Sequence, residues 1–512
     1  MSLKRLDAVL VNPGSRRAVY QRLGETLAAI EPPVWAGLMA TFLRRKGFSV
    51  EILDAEALGL TPDETARRIV ETDPLLAGVV VYGHQPSAST QNMTAAGQVC
   101  TALKVLAPQL KVALVGGHVA ALPERTLQEE AADFVCGGEG PSTLSELLTA
   151  LQASHSPDVS GIRGLWYKEA GRILSNPPSP LVQDLDGQMP EVAWDLLPMD
   201  RYRAHNWHCL EDLNRQPYAA LYTTLGCPFH CSFCCIQAPF KSGEKLIGYQ
   251  ESVNSYRFWS PEVVLTQIDK LVTQYGVRNI KFADEMFVLN PRHVSRICDL
   301  IIERGYKLNI WAYARVDTVQ DGMVEKLKKA GFNWLAFGIE AASERVRGDV
   351  QKGFGQDLIF KTLEKVRVAG IHVIGNYIFG LPEDNLHTMQ ETLDLALALN
   401  CEFANFYSAM AYPGSPLYTF AIREGWPLPG SWSGYSQHAV ETLPLPTKYL
   451  SSAQVLQFRD QAFQIYFRSP RYLEMVTKKF GPQTARHIDE MVSHPLERKL
   501  LSDSRLAVGS VG

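Results

Sequence analysis

The sequence predicts an α/β protein made of two parallel-sheet units followed by a helical tail. Three observations carry this. Strand and helix signals alternate over residues 1–151, a second alternating series of six units runs from near Tyr218, and from about Ser451 the pattern is helical alone. The expected division is a doubly wound domain over 1–151, a linker over 152–215, a partial (β/α)6 barrel over 216–445 and a helical segment over 446–512. With 512 residues, 46% of them hydrophobic and 20% charged, the chain can bury a large core without disulfides or metal staples.

In the first unit, Asp7–Val11 reads as a short apolar strand ending at Asn12, Pro13 and Gly14. Val34–Arg45 has helical periodicity and stops at Gly47, and Ser49–Leu53 is the next strand. Thr61-Pro62-Asp63-Glu64 is a helix start, with a capping hydroxyl and proline at the first helical position. Leu76–Tyr82 is apolar throughout, as a strand covered on both faces should be. Val112–Val115 runs into Gly116, Gly117 and His118. Asp133–Cys136 runs into Gly137, Gly138, Glu139 and Gly140, and a helix follows over Pro141–Leu151. Ligands of open parallel sheets sit outside the carboxyl ends of the strands, where glycines admit a large flat group close to the backbone. The first strand is not followed by GxGxxG, which disfavours a nicotinamide cofactor.

The linker is rich in proline and aspartate and is expected to hold little secondary structure. The barrel strands are expected at Ala219–Thr224, Asn279–Ala283, Leu308–Tyr313, Trp334–Phe337, His372–Phe379 and Glu402–Tyr407, with active-site residues at their carboxyl ends. The net charge of −4 comes without a basic stripe, which argues against nucleic acid as a partner. No apolar run approaches the ~18–20 residues that a membrane span needs. The apolar part of MSLKRLDAVLVNPG is too short for a secretory core, so a cytoplasmic protein is expected.

Nine cysteines are present, three of them in TTLGCPFHCSFCC after the first barrel strand. Cys227, Cys231 and Cys234 form C-x3-C-x2-C, with Phe233 just before the last. Three thiolates on one loop suit three corners of a 4Fe-4S cube and leave the fourth iron open. Zinc is the alternative, with His230 as a fourth ligand, but zinc favours paired knuckles and no second knuckle lies nearby. Cys235 breaks the spacing and reads as a bystander.

With CPFHCSFC at the end of the first barrel strand, the chain resembles the radical S-adenosylmethionine (SAM) superfamily. FADEMF, ARVD, GIEAAS, YIFGLPED and YPGSPLY, after successive strands, continue the resemblance. GGHVAALPE and DFVCGGEG are similar to the cobalamin-binding domain fused to this barrel in the class B methyltransferase-like subgroup. The resemblance spans about residues 5–425 and departs from the best-known cobalamin folds in lacking D-x-H-x-x-G.

The resemblance implies a 4Fe-4S cluster, SAM and methylcobalamin as cofactors. It implies that SAM is cleaved to a 5′-deoxyadenosyl radical that abstracts hydrogen from a small-molecule substrate, and that methyl then passes from cobalamin to carbon or phosphorus. SAM contacts are expected from Phe233, Asp284, Glu285, Arg315, Glu340, Ser343, Ile378 and Gly380. Asp284 and Glu285 are neighbours on an extended segment, so one of them should point inward. Cobalamin contacts are expected from Asn12, Pro13, Gly14, His84, Ser87, Gly116, Gly117, His118, Gly137, Gly138 and Glu139. Tyr407, Met410 and Tyr412 are candidates for the substrate wall, and the loop 235–259 for a lid. An external one-electron reductant of flavodoxin or ferredoxin type is implied. An oxidative cyclase or ring-rearranging enzyme on the same scaffold, and a cobalamin-binding sensor without turnover, are the competing readings.

Overall fold

The computed structural model describes residues 5–154, 156–211 and 213–502. Its first sheet contains β1 (Ala8–Asn12), β2 (Val50–Asp54), β3 (Leu76–Val81), β4 (Lys111–Gly116) and β5 (Phe134–Cys136). These pair in parallel in the order β2-β1-β3-β4-β5. The order reverses between β1 and β3, the position at which doubly wound sheets open a crevice beyond their strand ends. All six residues of β3 are buried, which accounts for its unbroken apolar run. The helix Pro62–Glu71 starts as expected, with Thr61 and Glu64 closing a capping box.

The region 152–215 departs from the expectation of little secondary structure. It adds β6 (Leu165–Glu169) and β7 (Arg172–Ser175), an antiparallel hairpin that continues the sheet beyond β5. Its turn, Ala170-Gly171, has positive φ at both residues (49° and 76°), as a twisted two-residue hairpin requires. Alanine is an uncommon choice there, so the turn carries little sequence signal. Leu185, Met189, Trp194 and Tyr202 are buried in an apolar core that runs unbroken from the helix Val34–Arg45 into the second domain.

The second sheet contains β8 (Tyr218–Leu221), β11 (Asn279–Phe282), β12 (Asn309–Ala314), β13 (Phe332–Glu340), β14 (His372–Phe379) and β15 (Phe403–Ser408), all parallel and in that spatial order. The edge strands β8 and β15 do not pair with each other, so the sheet is an open, partial barrel. Between β8 and β11 lies an antiparallel pair, β9 (Thr224–Gly226) and β10 (Tyr256–Phe258). The helices Ser452–Phe467, Pro470–Phe480 and Pro482–Ser493 follow. The first packs along the β15 edge, where Tyr466 Oη donates to the Cys401 carbonyl and Arg459 Nε to that of Phe406. The expected tail also includes 503–512, which lie outside the described residues. Among the described residues no helix is long and apolar enough to cross a membrane.

Candidate active site

The carboxyl ends of the barrel strands and the turn after β3 meet around one cavity of about 680 Å³. Cys227, Cys231 and Cys234 line one wall. The sharp descent from β8 through β9 that leads to them is held by Asp284. Its carboxylate accepts from the Thr223 backbone amide and hydroxyl and from the Thr224 hydroxyl, at 2.6–3.1 Å. On the far side of β9, Gln237 Oε1 accepts from the Cys227 amide at 3.2 Å. Nothing in the spacing of the motif marks Gln237, which is brought in by the turn after Cys235.

Among the described residues no group of three His, Cys, Asp or Glu side chains could hold a single metal ion, whereas three thiols lining one cavity are of the kind that take separate corners of a cluster. All three thiols are free. Burial pushes the Cys227 thiol up to about 12 and that of Cys234 well above its ordinary value, as it does for the buried Cys298 and Cys401, so what sets these thiols apart is the cavity they line together. Arg315 Nη1 lies 3.6 Å from Cys231 Sγ. Its guanidinium is fixed by two bonds to Asp317, at 2.9 and 3.0 Å, and stacks 4.0 Å over Phe229. His230, the fourth ligand a zinc site would need, is solvent-exposed and does not line the cavity. Cys235 faces the other way, into a small separate cavity behind Phe240 and Tyr222.

The residues expected at SAM separate into two groups. Phe233, Glu285, Arg315, Glu340 and Ile378 line the cavity, whereas Asp284, Ser343 and Gly380 do not. Asp284 is spent on the threonines just described, and its neighbour Glu285 takes the inward position. Burial raises the Glu285 carboxyl to about 8 and that of Asp284 to about 6. Ser343 heads the short helix Glu344–Asp349. Gly380 has φ 82° and makes a tight turn, its amide held by Asp384 at 3.0 Å, and a side chain there would run into Val455. Glu340 is a non-glycine residue at φ 63°, where the pairing of β13 with β14 slips register. This strain turns the carboxylate into the cavity, where it forms a buried ion pair with Lys352. Lys352, which sits in a loop without a periodic pattern, was not among the expected residues.

The residues expected at cobalamin are mostly engaged elsewhere, and Ser87 alone among them lines this cavity. Asn12 bonds Asp54, Pro13 is buried, and Gly14 passes the Ala55 carbonyl. His84 is held between the Pro32 carbonyl, at 2.7 Å, and the Glu31 carboxylate, at 3.2 Å. His118 bonds Thr90 Oγ1 at 3.2 Å and meets Trp432 edge-on. Burial pushes it down to about 3, which keeps it neutral. Gly116 is pressed against the Val81 carbonyl, Gly117 faces Ser89, Gly137 lies under the Trp166 indole and Gly138 beside Ser242. Glu139 forms an ion pair with Arg257 of β10 at 2.8 Å, both side chains being buried. The face that this domain does present to the cavity is formed instead by Tyr20, Leu23, Gln85, Ser87 and Gln91. Tyr407, Met410 and Tyr412 line the same cavity, with Tyr412 Oη 3.5 Å from Gln91 Nε2.

Residues 221–396 match the radical SAM superfamily and residues 21–148 match the B12 binding domain. An uncharacterized methyltransferase of Pyrococcus horikoshii is 29% identical over 472 residues, covering 92% of this chain and 94% of that protein. An anaerobic magnesium-protoporphyrin IX monomethyl ester cyclase of Rubrivivax gelatinosus is 24% identical over 405 residues, covering 78% of this chain and 68% of that one. Among solved structures, the radical SAM methyltransferase TsrM of Kitasatospora setae superposes with a TM-score of 0.67 at 16% identity, covering 99% of this chain and 100% of the other. A thiol-lined cavity at the open mouth of a partial barrel, joined to a doubly wound domain, thus defines a radical SAM protein. The chain belongs to the branch of that superfamily that carries a cobalamin-binding domain, and its cofactors are a 4Fe-4S cluster, SAM and cobalamin.

Proposed function

We propose that the protein is a methyltransferase that places a methyl group on an unactivated carbon, or on phosphorus, of a small molecule. The single observation that carries this is the shared cavity, in which the three thiols of the barrel and the start of the helix Pro86–Leu106 of the B12 binding domain, with Gln85, Ser87 and Gln91, face one space. The bound cofactors supply one-electron cleavage of SAM and a transferable methyl group; the chain positions and insulates them. Cys227, Cys231 and Cys234 would hold the cluster, with Arg315 offsetting the negative charge of the cysteine sulfurs. The Glu340 carboxylate and the Lys352 ammonium are complementary to the amino and carboxylate ends of an amino acid. Phe233 and Ile378 offer apolar surface for adenine. Asp284 acts by fixing the turn that carries Cys227. Tyr407, Met410 and Tyr412 would line the substrate.

A cytoplasmic setting and a flavodoxin- or ferredoxin-like electron donor fit this reading, since an open-site cluster is destroyed by oxygen. Anaerobic incubation with SAM, reductant and candidate substrates, read by mass spectrometry, tests it. A gain of one CH2 together with S-adenosylhomocysteine is the expected result. The similarity to a cyclase favours one other reading: loss of hydrogen from the substrate without S-adenosylhomocysteine would establish that reading instead.

A further inference from the structure

The helix Ser452–Phe467 brings two charged neighbours, Arg459 and Asp460, into the cavity wall beside β15, at the sheet edge opposite the thiol-bearing end. Arg459 is 5% exposed. Its Nε donates to the Phe406 carbonyl and its Nη1 to Asp460 Oδ1, both at 2.8 Å. Its Nη2 has no partner among the described residues. Asp460 is not a full counter-charge, because Arg498 also binds it, through Nε at 2.9 Å and Nη2 at 2.8 Å. Among the described residues two guanidinium groups therefore share one carboxylate, and one positive charge is left over. The other cations of the cavity wall are matched one to one, Arg315 by Asp317 and Lys352 by Glu340. Next to the surplus charge the surface is aromatic: Phe463 lies 5.8 Å from the Arg459 guanidinium, and Tyr407 and His438 line the same wall. Burial, together with the two arginines, pushes His438 down to about 3, so it adds no charge and offers no anion.

Arg459 lines the cavity with a guanidinium nitrogen that none of the described residues accepts from, and a charged acceptor entering the cavity satisfies such a donor best. We propose that Arg459 anchors a carboxylate or phosphate oxyanion of the substrate, whose apolar or aromatic body lies against Tyr407 and Phe463. This rests on the cavity's being the substrate site, as in the proposed function. The test uses hydrocinnamate, its neutral amide, and phenyl phosphate. Each is titrated calorimetrically into anaerobic full-length holoprotein saturated with SAM, so that the carboxylate of SAM already has its own place.

At least one of the two anions should bind about tenfold or more tightly than the amide, and whichever does so identifies the oxyanion. R459Q should bring that ratio close to one while leaving amide binding unchanged. Equal affinity for the anions and the amide, no measurable binding of either anion, or a ratio that survives in R459Q overturns the proposal. Arg459 also supports β15, so the melting temperature of R459Q is checked. If that variant does not fold, D460N decides: freeing the shared guanidinium should tighten anion binding several-fold, and unchanged or weaker binding overturns the proposal. Formation of 5′-deoxyadenosine in the same preparations reports on the radical SAM reading separately. Intact cleavage alongside failed anion binding would sink only the role of Arg459.

Discussion

Cys227, Cys231 and Cys234 share a wall and Cys235 faces away, so the four thiols should separate cleanly on substitution. Alanine at any of the three should abolish the iron–sulfur absorbance and the cleavage of SAM, and C235A should leave both largely intact. Loss of the cluster in C235A alone would refute the assignment. A second test at this scale is electrostatic. Burial, with Glu129 alongside, raises the Glu130 carboxyl to about 7. A raised carboxyl favours the fold in its neutral form. The stability it contributes is complete below about pH 4.5 and is lost as pH climbs through about 7. E130Q should therefore melt near the wild-type temperature at pH 4 and above it at pH 8; equal melting at both would show that the carboxyl is not perturbed. The cysteines were readable in the sequence because a metal cluster constrains spacing along one loop. Lys352, Arg459 and Gln237 were not, because each reaches the cavity through tertiary folding from a segment with no motif of its own.

At the level of elements, the parallel strands were readable because burial on both faces demands unbroken apolar runs; β14 spans the expected residues. The two antiparallel additions, β6–β7 and β9–β10, were not. They are short, partly polar, and defined by the strand they join rather than by a pattern of their own. The glycines at the ends of β4 and β5 were expected to admit a large flat ligand; the groups that crowd Gly116, Gly137 and Gly138 in this structure are Val81, Trp166 and Ser242 of the chain itself. Glu139 shows the same substitution of roles, since its partner is Arg257 on β10. Removing one member of so deeply buried a pair leaves the other uncompensated. E139Q or R257M should cost about 3–5 kcal/mol in urea unfolding. The double variant E139L/R257M should recover much of that loss; a loss equal to the sum of the single changes would mean that the two residues are not coupled.

For the molecule as a whole, the division of labour was evident from the sequence: a B12 binding domain, a radical SAM barrel and helices beyond it. The depth of the contact between the halves was not, because a proline- and aspartate-rich stretch has no apolar periodicity to mark which of its residues are buried. Trp194 and Tyr202 instead lie within a core continuous with both domains, and Gly37 admits Val192 where a side chain would collide with it. A body mortared in this way should melt in one calorimetric endotherm, and neither half, expressed by itself, should yield a monodisperse product. Two resolved endotherms would contradict this. Hinged opening of the whole interface is then too expensive to accompany each turnover, so reactants should reach the cavity without parting the two domains.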